Sequence, residues 1–189
     1  MLEIIENKTY NASDLKSKKL PIAEYDNCVF IGCDFAEHTF SEAKFLECTF
    51  EDCNLSLVNL ASTAFQNVQF KNCKMLGLHF DSCKDFLFEV GFENCRLNNS
   101  IFFQVLLKNT NFINCQLEGV DFTQANLSGV TFEECNLLGA TFDQSNLSKT
   151  DFRLANNYSL DPDQNQLKGA QFSKQNLEGL LGKYPIEIN

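Results

Sequence analysis

Along most of the chain a large apolar residue returns every fifth position, a spacing that neither a helix of 3.6 residues per turn nor a strand of period two produces. These centres run Leu20, Tyr25, Phe30, Phe35, Phe40, Phe45, Phe50, Leu55, Leu60, Phe65, Phe70, Met75 and Phe80. The register then slips by two and resumes at Leu87, Phe92, Leu97, Phe102, Leu107 and Phe112, continuing by fives to Phe152. Two places before most centres stands a small residue, as at Ala43, Cys48, Cys53, Thr63, Cys73, Ser100, Cys115 and Ala140. Between the two comes a polar residue, often Asn or Asp, as at Asn54, Asn126, Asn136 and Asp151. Residues two apart in an extended segment share a face, so the small residue and the centre both point inward. The next two residues then turn a corner. Each unit is predicted to be one short side of a polygon.

The cysteines count the sides. Cys33, Cys53 and Cys73 are twenty residues apart, as are Cys95, Cys115 and Cys135. Four five-residue sides therefore make one coil, and residues twenty apart stack. The interval from Cys73 to Cys95 is the same plus the slip, which reads as a two-residue bulge at 83–87 that leaves the faces aligned. Beyond it Phe and Leu centres alternate, which places Phe ladders on two opposite faces and Leu ladders on the other two. The expected fold is all-β, a solenoid whose coils bury their apolar residues against their neighbours. The degenerate units before Leu20, with Lys18 at an inward position, read as an irregular N-terminal cap over 1–19. The tower is expected over 20–156 and a C-terminal cap over 157–189, after the turn-rich "NNYSLDPDQNQ". In that cap Ser173 is placed to N-cap a short helix carrying Leu177, Leu180 and Leu181 on one face, stopped by Gly182. "KYPIEIN" alternates as a short strand with Tyr184, Ile186 and Ile188 on one side.

The units "ANLSG", "CNLLG" and "SNLSK" (from Ala125, Cys135 and Ser145) match the A-(D/N)-L-x-x pattern, and the chain resembles the pentapeptide-repeat family over roughly 20–156. The resemblance implies a right-handed quadrilateral parallel β-helix. The tail "LKGAQFSKQNLEGLLGKYPIEIN" is similar to the C-terminal cap of the Qnr and MfpA-like branch, whose members resemble duplex DNA in size and charge. It implies a DNA mimic that binds DNA gyrase or topoisomerase IV, with a homodimer formed through Leu177, Leu180, Leu181, Tyr184 and Ile186. The tower carries no long loops, only the bulge, which brings it closer to the loop-free members of that branch.

Charge bears on partners. Fifteen basic against twenty-five acidic residues give a net charge of −10, which argues against direct binding to nucleic acid or to an anionic membrane. The N-terminus lacks the basic start and apolar run of a signal peptide, so a cytoplasmic protein is expected. All nine cysteines occupy inward small-residue slots, Cys83 by the earlier register, where free Cys acts as a compact apolar filler. With His38 inward and His79 outward on another coil, no catalytic, cofactor or metal site is expected, and the protein is read as non-enzymatic.

Two outward features remain. By the register, one face carries Glu51, Asp52, Glu93, Glu133, Glu134 and Asp151 against Lys71 and Arg153. The opposite face carries Glu42, Asp81, Asp121 and Asp143 with no basic residue. The plain reading is that acid keeps a regular stack in solution. The sharper one is two negative stripes that imitate phosphate strands before a basic DNA-binding surface. The second feature is apolar: Ile101, Phe103 and Leu106 point outward, with Phe86 in the bulge about one coil away. Such groups mark contact sites unless the bulge folds over them, and they support an alternative, a protein-interaction scaffold without a topoisomerase role.

Overall fold

A computed structural model describes residues 2–15, 20–108 and 110–187 of the chain. The period of five becomes a four-sided parallel solenoid. Short strands stack into a seven-stranded sheet, in the order β2 (Thr9–Asn11), β4 (Val29–Ile31), β6 (Thr49–Glu51), β8 (Val68–Lys71), β9 (Val90–Glu93), β10 (Asn111–Ile113) and β11 (Thr131–Glu133). A four-stranded sheet holds β1 (Glu3–Glu6), β3 (Ala23–Asp26), β5 (Lys44–Leu46) and β7 (Ala64–Gln66). The remaining sides join by single bridges, such as His79–Ile101–Asp121–Thr141. We number the faces in chain order. Face 1 is centred on Phe30 to Phe152, face 2 on Phe35 to Leu137, face 3 on Phe40 to Phe142, and face 4 on Phe45 to Leu147.

Each position of the five has a physical task. The centre fills the interior and its N–H bonds the coil above, as Phe35 N–H does to the Asn54 carbonyl at 2.8 Å. The small residue leaves room for that centre, and where it carries a thiol or hydroxyl it donates to the coil below. Cys135 bonds the Phe112 carbonyl at 3.2 Å, and Ser145 the Phe122 carbonyl at 2.7 Å. The Asn or Asp before the centre accepts from the N–H two residues on: Thr123 N–H to Asp121 Oδ1 at 2.8 Å, Ser148 N–H to Asn146 Oδ1 at 3.1 Å. That N–H faces no neighbouring strand, and an unpaired backbone donor is costly. The residue two after the centre turns the corner with positive φ, from Asn27 at 48° to Gly169 at 77°. Asn and Gly tolerate this conformation best, which accounts for their recurrence there.

Aromatic ladders run through the interior. On face 1 the rings stack without a break from Tyr10 through Phe30, Phe50, Phe70, Phe92, Phe112, Phe132 and Phe152 to Phe172. Phe80, Phe102, Phe122 and Phe142 form the facing ladder. The two meet edge to face, Phe102 and Phe112 at 6.2 Å and 89°, the arrangement aromatic quadrupoles prefer.

Three expectations need correction. The N-terminal segment expected as an irregular cap contains β1 and β2, paired in register with β3 and β4. Ile5, Tyr10 and Leu15 carry the count of five backwards from Leu20, a signal the reading from Leu20 overlooked. Lys18 lies outside the described residues. Leu87 is not a centre: it takes a corner conformation (φ 56°) and is 61% exposed, while Phe88 turns inward, edge-on to Phe65 and Phe80. At the other end the coil resumes after the turn-rich stretch, with Gln166 bridged to Asn146 and Gln171 to Asp151.

The C-terminal helix is a 3-10 segment, Lys174–Leu180, bent at Asn176, and the Ser173 side chain makes no capping hydrogen bond. Its three leucines divide. Leu180 packs on the core, Leu181 is half-buried, and Leu177 is exposed. Gly179 presses on the Tyr158 carbonyl, where a Cβ would lie 2.2 Å away, so only glycine lets this segment close over the top coil. The chain turns at 181–184 and residues 185–187 are irregular, where a strand was expected, and Ile188 lies outside the described residues.

Candidate protein-binding faces

The cysteines come first, as the most reactive groups present. Eight are buried and Cys83 is half-buried. Burial pushes the Cys48 thiol up to about 12, and Cys33 likewise. A thiol with its proton on a backbone carbonyl is a filler rather than a nucleophile. Among the described residues no three His, Cys, Asp or Glu side chains are grouped to hold a metal ion. His38 is half-buried on Phe35, and exposed His79 sits 3.3 Å from Asp81. Thiol reagents are expected to modify Cys83 first, and the other eight only after denaturation. Rapid native labelling of Cys95, Cys115 or Cys135, followed by mass spectrometry, would contradict the inward register.

The proposed acidic residues are carried at the outward positions beside each centre. On face 1 one column reads Glu51, Lys71, Glu93, Ile113, Glu133 along paired strands. Each base there lies beside an acid: Lys71 sits between Glu51 and Glu93, and Arg153 follows Glu133. Arg153 also forks onto Asp151, with Nη2–Oδ2 at 2.6 Å and Nε–Oδ1 at 3.0 Å. This guanidinium holds the Asp151 carboxyl below the usual carboxylate range. Asp52 and Glu134 stand at the two ends of an amide ladder, in which Asn114 donates to Asn94 and Asn94 to Asn72. A groove of about 510 Å³ lies between Glu133, Asp151, Arg153 and Leu154.

Face 3 differs. Asp81 and Asp143 share one outward column with Phe103, and Asp121 shares the other with His79 and Ile101. Its described residues, 39–42, 59–62, 79–82, 101–104, 121–124 and 141–144, include no Lys or Arg. A glutamine ladder, Gln104 to Gln124 to Gln144 at 2.7 and 3.0 Å, stiffens its edge.

The four residues of the apolar group separate. Ile101 (half-buried) and Phe103 (38% exposed) lie on face 3. Leu106 belongs to face 4, and with Leu87 and with Ile113 of face 1 it lines a second groove of about 510 Å³ beside the bulge. Phe86 is 75% exposed at the bulge. Leu87 and Ile113 were missed because the first was assigned inward and the second stands among charges.

Sequence comparison finds no curated relative of the chain. Solved structures share the fold. QnrB1, described as a plasmid-mediated fluoroquinolone resistance protein, matches in a trypsin-treated form with a TM-score of 0.64 at 15% identity, covering 100% of both chains. HetL, a pentapeptide repeat protein involved in heterocyst differentiation regulation in Nostoc sp. strain PCC 7120, matches with a TM-score of 0.52 at 14% identity. That match covers 90% of this chain and 84% of HetL. The family model described as a pentapeptide repeat region matches residues 23–84 and 86–180, interrupted only at the bulge. With five-residue sides, corner residues at positive φ and an unbroken aromatic interior over the same span, the chain belongs to the pentapeptide-repeat family, a right-handed quadrilateral parallel β-helix.

Proposed function

We propose that this protein is a non-enzymatic, cytoplasmic DNA mimic that binds a type II topoisomerase, DNA gyrase or topoisomerase IV, and modulates or protects it. The observation that carries this reading is the placement of acid on opposite outer faces of a rigid rod, at the spacing of the coils. A basic surface that accepts a duplex meets a comparable array of charge. The likeness to QnrB1 in fold supports the same assignment.

Such binding is electrostatic and exposed, so it weakens steeply with salt, because charges are screened within ~10 Å at 0.1 M ionic strength. In a supercoiling assay the protein is expected to act on gyrase at low salt and in competition with duplex DNA. Unchanged supercoiling and unchanged quinolone-stabilised cleavage, at low salt and high molar excess, would remove the topoisomerase from this proposal. The reading then standing is the interaction scaffold, which the exposure of Phe86 favours.

The mimic is a two-fold dimer joined at the C-terminus, isologous dimers being the commonest oligomers. Leu177, Tyr184 and Ile186 are 42, 50 and 55% exposed around this end, while Leu180 and Leu181 mainly close the tower. Sedimentation of a Leu177→Glu/Ile186→Glu variant is expected to give a monomer. An undiminished dimer would rule out this surface.

A further inference from the structure

Although the two acidic faces look equivalent when their charges are counted, the structure makes them different electrostatic objects. On face 1 Lys71 and Arg153 stand among Glu51, Glu93, Glu133 and Asp151 at the coil spacing, ~4.8 Å, and Arg153 and Asp151 are locked in a fork. The two bases cancel the field of the acids beside them, while Asp52 and Glu134 at the corner keep theirs. On face 3 no Lys or Arg among the described residues offsets Glu42, Asp81, Asp121 and Asp143, and His79, 3.3 Å from Asp81, does so only when protonated. Lys183, at the upper end beyond Thr141, is already held by Asp161 and Asp163. Face 3 is therefore the acidic face without a Lys or Arg among its described residues.

This face also carries an apolar centre. Ile101 and Phe103 flank Phe102 on one coil. Asp121 stands directly above Ile101, paired across the bridge. Asp81 occupies the column of Phe103 one coil below, and Asp143 two coils above. A sheet face of this kind, with two apolar side chains framed by carboxylates and flat because every coil repeats, has the anatomy of a protein contact: a desolvated apolar patch inside a charged rim. We infer that face 3 is the docking face, and that its occupant is a protein surface presenting an aliphatic or aromatic side chain between Lys or Arg residues. The cations meet Asp81, Asp121 and Asp143, and the apolar side chain covers Ile101 and Phe103. Nucleic acid and anionic membrane are excluded by the same charge that attracts this partner. Face 1 keeps a comparable excess of acid but carries Lys71 and Arg153, which repel a cationic partner at those points.

The inference rests on the mimic reading for the identity of the partner but not for the location of the face, and two measurements keep these apart. In the first, affinity for gyrase is measured for wild type, Asp121→Lys/Asp143→Lys, Phe103→Ser, and a face 1 control, Glu93→Lys/Glu133→Lys. Losses of about tenfold or more for both face 3 variants, with less than about threefold for the control, are expected. Circular dichroism and thermal unfolding confirm that each variant is folded. A loss confined to the control overturns the inference and leaves the mimic reading in place. In the second, the probe is a synthetic peptide with one leucine between lysine pairs, titrated into isotopically labelled protein at low salt. Amide shifts concentrated on 101–104 and 121–124, and abolished in Phe103→Ser, are expected even where gyrase does not bind. Shifts spread over all four faces, or centred on face 1, overturn the inference regardless of the gyrase result.

Discussion

Replacing Phe112 with Ala is expected to lower the unfolding free energy by about 3–5 kcal/mol, one of the two largest effects in the molecule. Phe112 is fully buried and stacked between Phe92 at 5.0 Å and Phe132 at 5.2 Å. It also meets the edges of Phe102 and Phe122. Truncation opens a gap in the middle of a ladder, and backbone hydrogen bonds between coils prevent neighbouring coils from collapsing into it. Glu133→Gln, on the adjoining outward position, is expected to change stability by less than ~0.5 kcal/mol. Urea unfolding with both variants decides the matter. Equal effects at the two positions would mean that the inside and outside of the tower are wrongly assigned.

The second large effect is a loss of stability at alkaline pH. Cys33 and Cys48 are pushed up to about 12 by burial, and Cys95 and Cys115 reach about 12 chiefly through the neighbouring thiols, Cys115 and Cys135 respectively. In the unfolded chain a thiol ionises near 8.5. Below that value both states hold the proton, and the thiols impose no slope. Above it the unfolded state gives up protons that the folded state keeps, so stability falls as pH rises until the folded thiols ionise near 12. Each such thiol withdraws roughly 1.4 kcal/mol per pH unit, and four together withdraw several kcal/mol between about pH 9.5 and 10.5. Tyr25, also raised by burial, adds to the trend above its ordinary value. The urea midpoint measured from pH 7 to 10.5 is expected to be level at first and then to drop steeply. Cys48→Ala with Cys115→Ala is expected to flatten that drop. A midpoint level throughout would place the thiols in contact with solvent.

Much of the fold is legible in the sequence because the interior is one residue wide on each side. A strict period leaves each centre only one place to go, and the twenty-residue spacing of Cys33, Cys53 and Cys73 states how many sides close a coil. Ile5 and Tyr10, and later Leu167 and Phe172, continue the same count, so both ends were readable from residues already present. The opposed acidic columns followed from the same arithmetic, as did the outward positions of Phe103 and Leu106.

What the period could not decide lies where the period stops. In the bulge two adjacent apolar residues compete, and their order along the chain does not say which turns inward. Packing does: Phe88 finds the edges of Phe65 and Phe80, and Leu87 is left to take the corner at positive φ. At the C-terminus the spacing of Leu177, Leu180 and Leu181 suits a helical face. The surface of the last coil instead draws Leu180 down and bends the segment at Asn176, because Gly179 must sit against Tyr158. The pairing of individual charges was likewise settled in three dimensions. Composition counts Asp151 as a negative charge, but the side-chain torsions that bring Arg153 onto it cancel that charge locally, and no linear pattern encodes a torsion. The sequence by itself determined the coil, its inside and its outside, since those depend only on periodicity. Tertiary packing and side-chain geometry decided the register of the bulge, the closure of the top, and which acid is held by a neighbouring cation.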